Sequence, residues 1–344
     1  MANTTLSRTY TDFVTATGDK ILSKSFTDNI SRASPFMSWM MDEGGVTGRA
    51  NGRRYLAGAT GNYLEEPIMT ELNGTGKWYA GAETVDTTQQ NVGTAAFWQP
   101  KRLIISATIT GEEADRNAGR EKTINLTKAK IDQALISIRV LLAGALWADG
   151  TGNNGKEIFG ITALCPSDRG TSVASGTVTA NTSWWLCQRS RSGTTYGNVG
   201  DYDTNFKAYG RRLFLDCSEG GSQPDIHLVD QSLYEKYDDS LKPMERHESK
   251  KMLDLGFENY LTYFGKPVIW DRYHPDANST TTHRWFMLNS EFLALRYLPS
   301  ANFSQLGFQR PPDADYITTP IIWSGAMTTS SRRMHGVATG ITIS

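Results

Sequence analysis

The pattern of apolar and polar positions changes character several times along the chain. Residues 1–42 are polar, with Phe13, Ile21, Leu22, Phe26 and Ile30 at loose helical spacing, and they end in the apolar knot Pro35-Phe36-Met37-Ser38-Trp39-Met40-Met41. This predicts an extended arm carrying one or two short helices. Residues 43–101 are glycine-rich, with short strand-like pieces between the glycines: Arg54-Tyr55-Leu56-Ala57, Lys77-Trp78-Tyr79 and Ala95-Ala96-Phe97-Trp98. Asn73-Gly74 is a strong turn dipeptide. Structureless loops beyond about 12–15 residues are uncommon in compact domains, so a long two-stranded excursion is expected. An isolated hairpin is marginal in water. This one is therefore expected to lie on another surface, most simply a second copy of the chain.

Residues 101–111, Lys-Arg-Leu-Ile-Ile-Ser-Ala-Thr-Ile-Thr-Gly, read as a strand ending in a turn. A long helix follows over about 121–148, roughly 40 Å at 1.5 Å per residue. Ile124, Ile131, Leu135, Ile138, Leu142 and Ala145 keep three- and four-residue steps, and Leu141 and Leu146 widen the stripe. Ile131, Leu135, Ile138 and Leu142 are the expected core positions of this helix. Lys128, Lys130, Asp132, Gln133 and Arg139 form its wet flank, so it is expected to lie across a sheet. Residues 150–223 are rich in Gly, Ser, Thr and Asn, with Trp184-Trp185 inside, and read as strands and loops of no evident order. Beyond 224, strands are predicted at 225–229, 266–270, 285–288, 293–298, 317–327 and 337–343. A helix over 232–241 is ended by Pro243. The last strand alternates Val337, Thr339, Ile341 and Ile343 at period two. No internal repeat is present, and strands and helices do not alternate as βαβ units, so the class is α+β.

Composition narrows the function. The chain has 344 residues, enough for two domains or one elaborated domain. With 39% hydrophobic residues and a net charge of −1, pervasive disorder is excluded. A dedicated nucleic-acid binder is disfavoured, because a phosphate lattice selects for a basic excess. No apolar run approaches the roughly 20 residues that span a bilayer, and the N-terminus lacks an export signal pattern. Three cysteines, Cys165, Cys187 and Cys217, contain no C-x-x-C spacing. They read as reduced thiols rather than a zinc site.

Motifs with chemical content resolve into structural features. Gly150-Thr-Gly152-Asn-Asn-Gly155-Lys156-Glu157 matches G-x-G-x-x-G, but it follows a helix instead of preceding one. Glu157 replaces the P-loop hydroxyl and would repel phosphate. It reads as a helix C-cap and turn, with Gly150 or Gly152 at positive φ. Of the five histidines, His227 lies in an apolar strand and reads as a core residue, and His247 sits in the charged run Glu245 to Lys251. Glu65-Glu66 and Asp238-Asp239 read as surface charge. Glu112, Glu113 and Asp115 suit a helix N-terminus. No catalytic, cofactor-binding or metal-ligating residue is assigned, and no enzyme activity is expected. The long arm, the glycine-rich excursion and the long helix are instead the layout of a protein that interlocks with its copies. Arg53, Arg54, Trp78, Tyr79, Phe97 and Trp98 are the subunit-interface candidates.

Several segments, in this order, also resemble a known family. Gly81 to Pro100 resembles an extended-loop return. The run 104–113 leads through Asn117-Ala118-Gly119 into a spine-like helix. Pro224-Asp225-Ile226-His227-Leu228-Val229, Leu255-Gly256-Phe257, Phe264 to Asp271, Phe286-Met287-Leu288-Asn289 and Arg332-Arg333-Met334-His335-Gly336 follow. The order resembles the major capsid proteins of tailed double-stranded DNA phages, which have the Hong Kong 97-like fold. The resemblance covers roughly residues 40–344. It implies an N-terminal arm (1–52), an extended β-hairpin loop (53–100), a peripheral-domain strand and spine helix (101–150), a mostly axial domain (151–284) and closing strands of both domains (285–344). It further implies an icosahedral shell of hexamers and pentamers around the phage genome, with no catalytic site and no cofactor. The implied partners are copies of the chain, portal and decoration proteins, and packaged double-stranded DNA held without sequence specificity. No membrane is implied. Only about fifty residues precede the extended loop, so scaffolding is expected from a separate protein. The implied location is the virion, after assembly in the host bacterial cytoplasm. The alternatives are an encapsulin-type shell, or a β-rich phage glycan-binding protein or hydrolase.

Overall fold

The computed structural model describes residues 34–41, 55–58, 63–116, 126–167, 185–192, 195–241, 261–312 and 314–343. The arm before residue 34, Arg53, Arg54, 117–119, Ile124, Trp184, Pro243, His247 and 255–257 lie outside the described residues. In chain order the elements begin with helix α1 (Pro35–Met41) and strands β1 (Tyr55–Ala57), β2 (Leu64–Met69), β3 (Gly93–Trp98) and β4 (Lys101–Thr110). Helices α2 (Gly111–Arg116), α3 (Leu126–Trp147) and α4 (Ile161–Leu164) follow. Short strands β5 (Gln188–Arg189), β6 (Arg191–Ser192), β7 (Thr195–Tyr196) and β8 (Gly200–Asp201) then lead to a π-helical turn (Tyr202–Phe206) and α5 (Lys207–Asp216). Strand β9 (Ile226–Val229) and helix α6 (Gln231–Leu241) precede β10 (Leu261–Tyr263), β11 (Lys266–Trp270), β12 (His283–Leu288) and β13 (Leu293–Tyr297). Strands β14 (Ser304–Gln305), β15 (Tyr316–Thr329) and β16 (Gly336–Thr342) close the chain.

The chain forms two compact units. The first contains residues 102–142 and 300–324. In it β4 pairs with β15, whose early part also takes β14. Strand β4 buries Ala107 and Ile109 and leaves the alternate positions, Ile104 among them, exposed. A capping box joins β4 to α2: the Glu113 carboxylate accepts from Thr110 N–H at 3.1 Å, and Glu113 N–H donates to Thr110 Oγ1 at 3.4 Å. Lys130 of α3 reaches back to Glu113 at 2.6 Å and to the Thr108 carbonyl at 3.1 Å.

The covered face of α3 is Ala134, Ile138, Leu142 and Leu146, with Ala143 and Trp147 beside it. Of the four expected core positions, Ile138 and Leu142 are buried, whereas Ile131 and Leu135 are only half-buried. Leu141 is exposed, because the buried stripe leans toward the 143/147 side of the helix and away from it.

The second unit contains 34–101, 143–299 and the chain beyond 325. Its main sheet has the order β10-β11-β9-β12-β16-β5, with β8 also on β16. The centre strand β9, apolar apart from His227, is buried at every position, as a strand covered on both faces must be. Strand β16 alternates Val337, Thr339 and Ile341 at period two. It is buried from Gly336 through Thr339, because β12 and β5 flank it and side chains cover both faces. One core cluster joins Phe206, Leu213 and Phe214 to Leu233, Tyr237, Trp285 and Met287. Trp285 stands at its centre, with ring centroids of Phe206 at 4.7 Å, Tyr237 at 5.2 Å and Tyr263 at 5.5 Å.

One helix departs from the sequence reading. Residues 207–216 are helical instead of strand or loop. Gly210 disguises the helix, yet the site demands it: a Cβ there would stand 2.8 Å from the Tyr263 hydroxyl. The knot at 35–41 is a buried helix and belongs to the second unit. Ser34 caps it, its Oγ accepting from Met37 N–H at 3.1 Å, and the buried Asp271 carboxylate accepts from Ser34 Oγ at 2.5 Å and Phe36 N–H at 3.1 Å. Pro35 supplies the favoured first helical position.

Candidate self-assembly surface

Strands β2 and β3 form an antiparallel ribbon with Leu64 opposite Trp98 and Met69 opposite Gly93. Gly93 is forced by proximity, since a Cβ there would lie 2.2 Å from the Ile68 carbonyl oxygen. Pro67 is tolerated because a two-stranded ribbon has free edges. The excursion expected over 53–100 is thus a hairpin from 64 to 98. Strand β1 belongs elsewhere and pairs in parallel with β13.

The foot of the hairpin is fixed. Leu64, Ala96 and Trp98 are buried. The Glu66 carboxylate accepts from Arg296 Nε at 2.7 Å, with Arg296 Nη2 at 2.6 Å and Thr328 Oγ1 at 3.1 Å. Phe97 is half-buried and meets Tyr63 edge-on at 6.2 Å. Trp98 is therefore a core residue of its own subunit and not a surface anchor, which corrects the sequence reading. Burial of its pairing partner Leu64 places both inside.

The tip, residues 70–92, is the opposite. It contains no strand, so Lys77-Trp78-Tyr79 does not form the strand-like piece that the sequence suggests. Leu72 is 91% exposed and Trp78 fully exposed, and Met69, Tyr79, Val85 and Val92 are also exposed. Local polar bonds shape the turns. Asn73 Oδ1 accepts from Thr75 N–H at 2.9 Å, and Asp86 Oδ1 accepts from Thr88 N–H at 3.0 Å. Lys77 and Glu83 make a surface pair at 3.3 Å. Bonds to the Thr88 hydroxyl and amide lower the pKa of Asp86.

Burying a large apolar side chain stabilises by about 1.5–3 kcal/mol. Several exposed together on one tip mark an interaction surface. Among the described tryptophans, Trp78 stands in solvent and Trp270 is partly covered, whereas Trp39, Trp98, Trp147, Trp185, Trp285 and Trp323 are buried.

Elsewhere the titratable side chains serve packing. Burial pushes the pKa of His227, His274 and His335 down to about 3. His227 accepts from Trp285 Nε1 at 3.3 Å, and His335 Nδ1 accepts from Asn289 N–H at 3.2 Å. His283 pairs with the buried Asp230 at 2.9 Å. The three cysteines are free and buried, and burial raises the thiol pKa of Cys165 and Cys217. Among the described residues no group of three or more His, Cys, Asp or Glu side chains is placed to hold a metal ion. Gly150 takes φ +80° at the end of α3, and the Gly-rich run after it forms a turn in which Asn153 and Asn154 also take positive φ.

No protein-family model matches the chain, and no curated protein matches it. Solved structures do. The capsid asymmetric unit of cyanophage A-1(L) aligns with a TM-score of 0.62 at 14% identity, covering 94% of this chain and 97% of that one. The capsid of a native GTA particle aligns at 0.60 and 12% identity, covering 94% and 95%. The holo-SrpI encapsulin complex of Synechococcus elongatus aligns at 0.58 and 7% identity, covering 99% and 97%. The chain has the Hong Kong 97-like capsid fold, an α+β architecture, and phage capsid proteins predominate among the similar structures.

Proposed function

We propose that this chain is the major capsid protein of a tailed double-stranded DNA phage, assembling into an icosahedral shell of hexamers and pentamers around the genome. The observation that carries the reading is the hairpin: a foot locked by Glu66–Arg296 and a tip whose apolar side chains have no cover, on a body with the capsid fold. A free-standing tip of this composition is stable only when seated on another copy. In this reading Trp78 and Tyr79 are the anchors, joined by Arg53 and Arg54, and Phe97 flanks the contact. Residues 1–52 act as the arm, 53–100 as the extended loop, 101–150 as peripheral strand and spine, 151–284 as the axial part, and 285–344 as closing strands. A scaffolding protein guides assembly, which takes place in the bacterial cytoplasm, and portal and decoration proteins complete the virion. DNA is enclosed without sequence-specific contacts, in keeping with a net charge of −1. Among the described residues no helix is long and apolar enough to cross a membrane.

Negative-stain microscopy and sedimentation of the purified chain test the proposal. Closed particles are expected. Deleting residues 70–92 and joining the ends with a short turn should leave the monomer's circular dichroism intact and abolish closed particles. Particles that still form would remove the hairpin from the assembly mechanism. An unfolded deletion protein would make the tip part of the core. The encapsulin likeness favours a second reading, a shell around protein cargo. Particles from the native source that hold nucleic acid support the first reading, and particles that hold an enzyme support the second.

A further inference from the structure

We propose that Asn73-Gly74, at the hairpin tip, is a self-modification site: in a free subunit the Asn73 side chain closes on the Gly74 nitrogen and converts to aspartate and isoaspartate. The consequence for assembly rests on the capsid reading: a seated tip is shielded from this chemistry, and a converted tip seats poorly.

Both residues are exposed, and the tip around them contains no strand. Asn73 Oδ1 accepts two bonds from Thr75, from the amide N–H at 2.9 Å and from the hydroxyl at 2.6 Å. The N–H can only donate, so the side-chain oxygen of Asn73 faces it, not the nitrogen. The two donors polarise the Asn73 carbonyl and stand where negative charge develops on attack, as in an oxyanion hole. The attacking atom is free, since among the described residues the Gly74 N–H makes no hydrogen bond. A Cβ at Gly74 would meet nothing within 4 Å, so no neighbour obstructs the approach.

The chemistry needs only water. The Gly74 nitrogen gives its proton to solvent hydroxide and bonds to Asn73 Cγ, and the carbonyl electron pair moves onto Oδ1 between the Thr75 donors. The Cγ–Nδ2 bond then breaks, and Nδ2 leaves as ammonia with a proton from water. Water adds to one carbonyl of the resulting succinimide and reopens the ring. Breaking the bond to Cγ gives aspartate, and breaking the bond to the main-chain carbonyl carbon gives isoaspartate. No oxidant or reductant enters.

The same dipeptide recurs at Asn154-Gly155, also exposed, and there the fold disarms it. Gly155 N–H donates to the Thr151 carbonyl at 3.1 Å, so its nitrogen is engaged. Lys101 Nζ donates to the Gly155 carbonyl at 3.0 Å and pins the turn. Among the described residues nothing donates to the Asn154 side chain. Asn51-Gly52 lies outside the described residues.

Residues 70–92 carry three acids, Glu71, Glu83 and Asp86, against one base, Lys77. Conversion adds a fourth carboxylate to the segment that exposes Trp78. Asp86 makes with Thr88 the same two bonds that Asn73 makes with Thr75, so an aspartate at 73 keeps the turn and changes the charge. Isoaspartate also lengthens the backbone by one methylene. Carrying an unpaired charge into a contact is costly.

The test holds the full chain for days near neutral pH, as dilute free subunits and as particles. Tryptic peptides 55–77 and 140–156 separate the two sites. Mass gain and methyl acceptance from an isoaspartyl methyltransferase are read on each. In free subunits Asn73 should convert about ten-fold faster than Asn154 or more, because placed donors act at 73 alone. Gly74→Ala and, independently, Thr75→Val should slow it, with circular dichroism as the folding control. Particles should protect Asn73. Aged wild type and fresh Asn73→Asp should form fewer particles than fresh wild type, and aged Gly74→Ala should keep its yield.

No conversion at Asn73, or equal rates at Asn73 and Asn154, overturns the proposal. Equal conversion in particles, or full assembly of aged subunits and of Asn73→Asp, overturns its consequence for assembly. A wild type that converts at Asn73 as expected but never forms particles upholds the modification site and refutes the capsid reading.

Discussion

The hairpin tip and the core of the second unit use the same kinds of side chain in opposite surroundings. Trp285 is fully buried among Phe206, Tyr237 and Tyr263. Trp78 and Tyr79 stand in solvent on a segment shaped by Asx-type turns. The core gains its stability within one chain. The tip gains none there, and its glycines raise the entropy lost on ordering. The difference separates folding from assembly: changes in the core should alter the monomer, and changes at the tip should alter only what copies do together.

Acid should break this comparison most strongly. His227, His274 and His335 have folded pKa values of about 3, below the unfolded value of about 6.5. Between those values the unfolded chain binds more protons, so stability is complete above about 6.5 and falls as pH drops toward 3. Each histidine contributes a slope of up to about 1.4 kcal/mol per pH unit. Asp230, raised by burial, acts in the opposite sense at the low end. Chemical denaturation from pH 7 to pH 4 should show a loss of several kcal/mol. A flat profile would mean that these imidazoles are solvated.

Trp285→Ala should cost about 3–5 kcal/mol in the same assay, as for other buried aromatics. On α3, Leu142→Ala should cost about 2–5 kcal/mol, and Leu135→Ala clearly less, since Leu135 is half-buried. Equal losses would place the packed face elsewhere. Lys130→Ala should cost about 1 kcal/mol, because Lys130 holds both Glu113 and the Thr108 carbonyl. As a wet-flank residue it would have cost almost nothing. Trp78→Ala should change monomer stability by less than about 0.5 kcal/mol while reducing particle yield. A monomer melt that falls with it would erase the distinction between tip and core.

Much of this was legible along the chain because the signals were local. The run Ile226-His227-Leu228-Val229 declared a buried strand, and the steps through Ile138 and Leu142 declared a helix face. Asn73-Gly74 marked a turn. Helix α5 was not legible. Gly210 interrupts its pattern for the sake of the Tyr263 hydroxyl, a contact that spans residues far apart in sequence. Trp98 and Trp78 look alike in sequence. Only the pairing of Trp98 with Leu64 and the burial of both separate a core residue from a surface anchor.

The sequence by itself determined the α+β class, the strand runs, the long helix, the turns and the lack of a basic excess, because periodicity, turn chemistry and net charge are properties of neighbours along the chain. The tertiary structure decided which apolar side chains are covered. It also decided that β1 leaves the hairpin to join β13, and that α5 and α6 pack into one core cluster over one sheet. Those outcomes depend on strand order and long-range packing, which bring together residues that no local pattern relates.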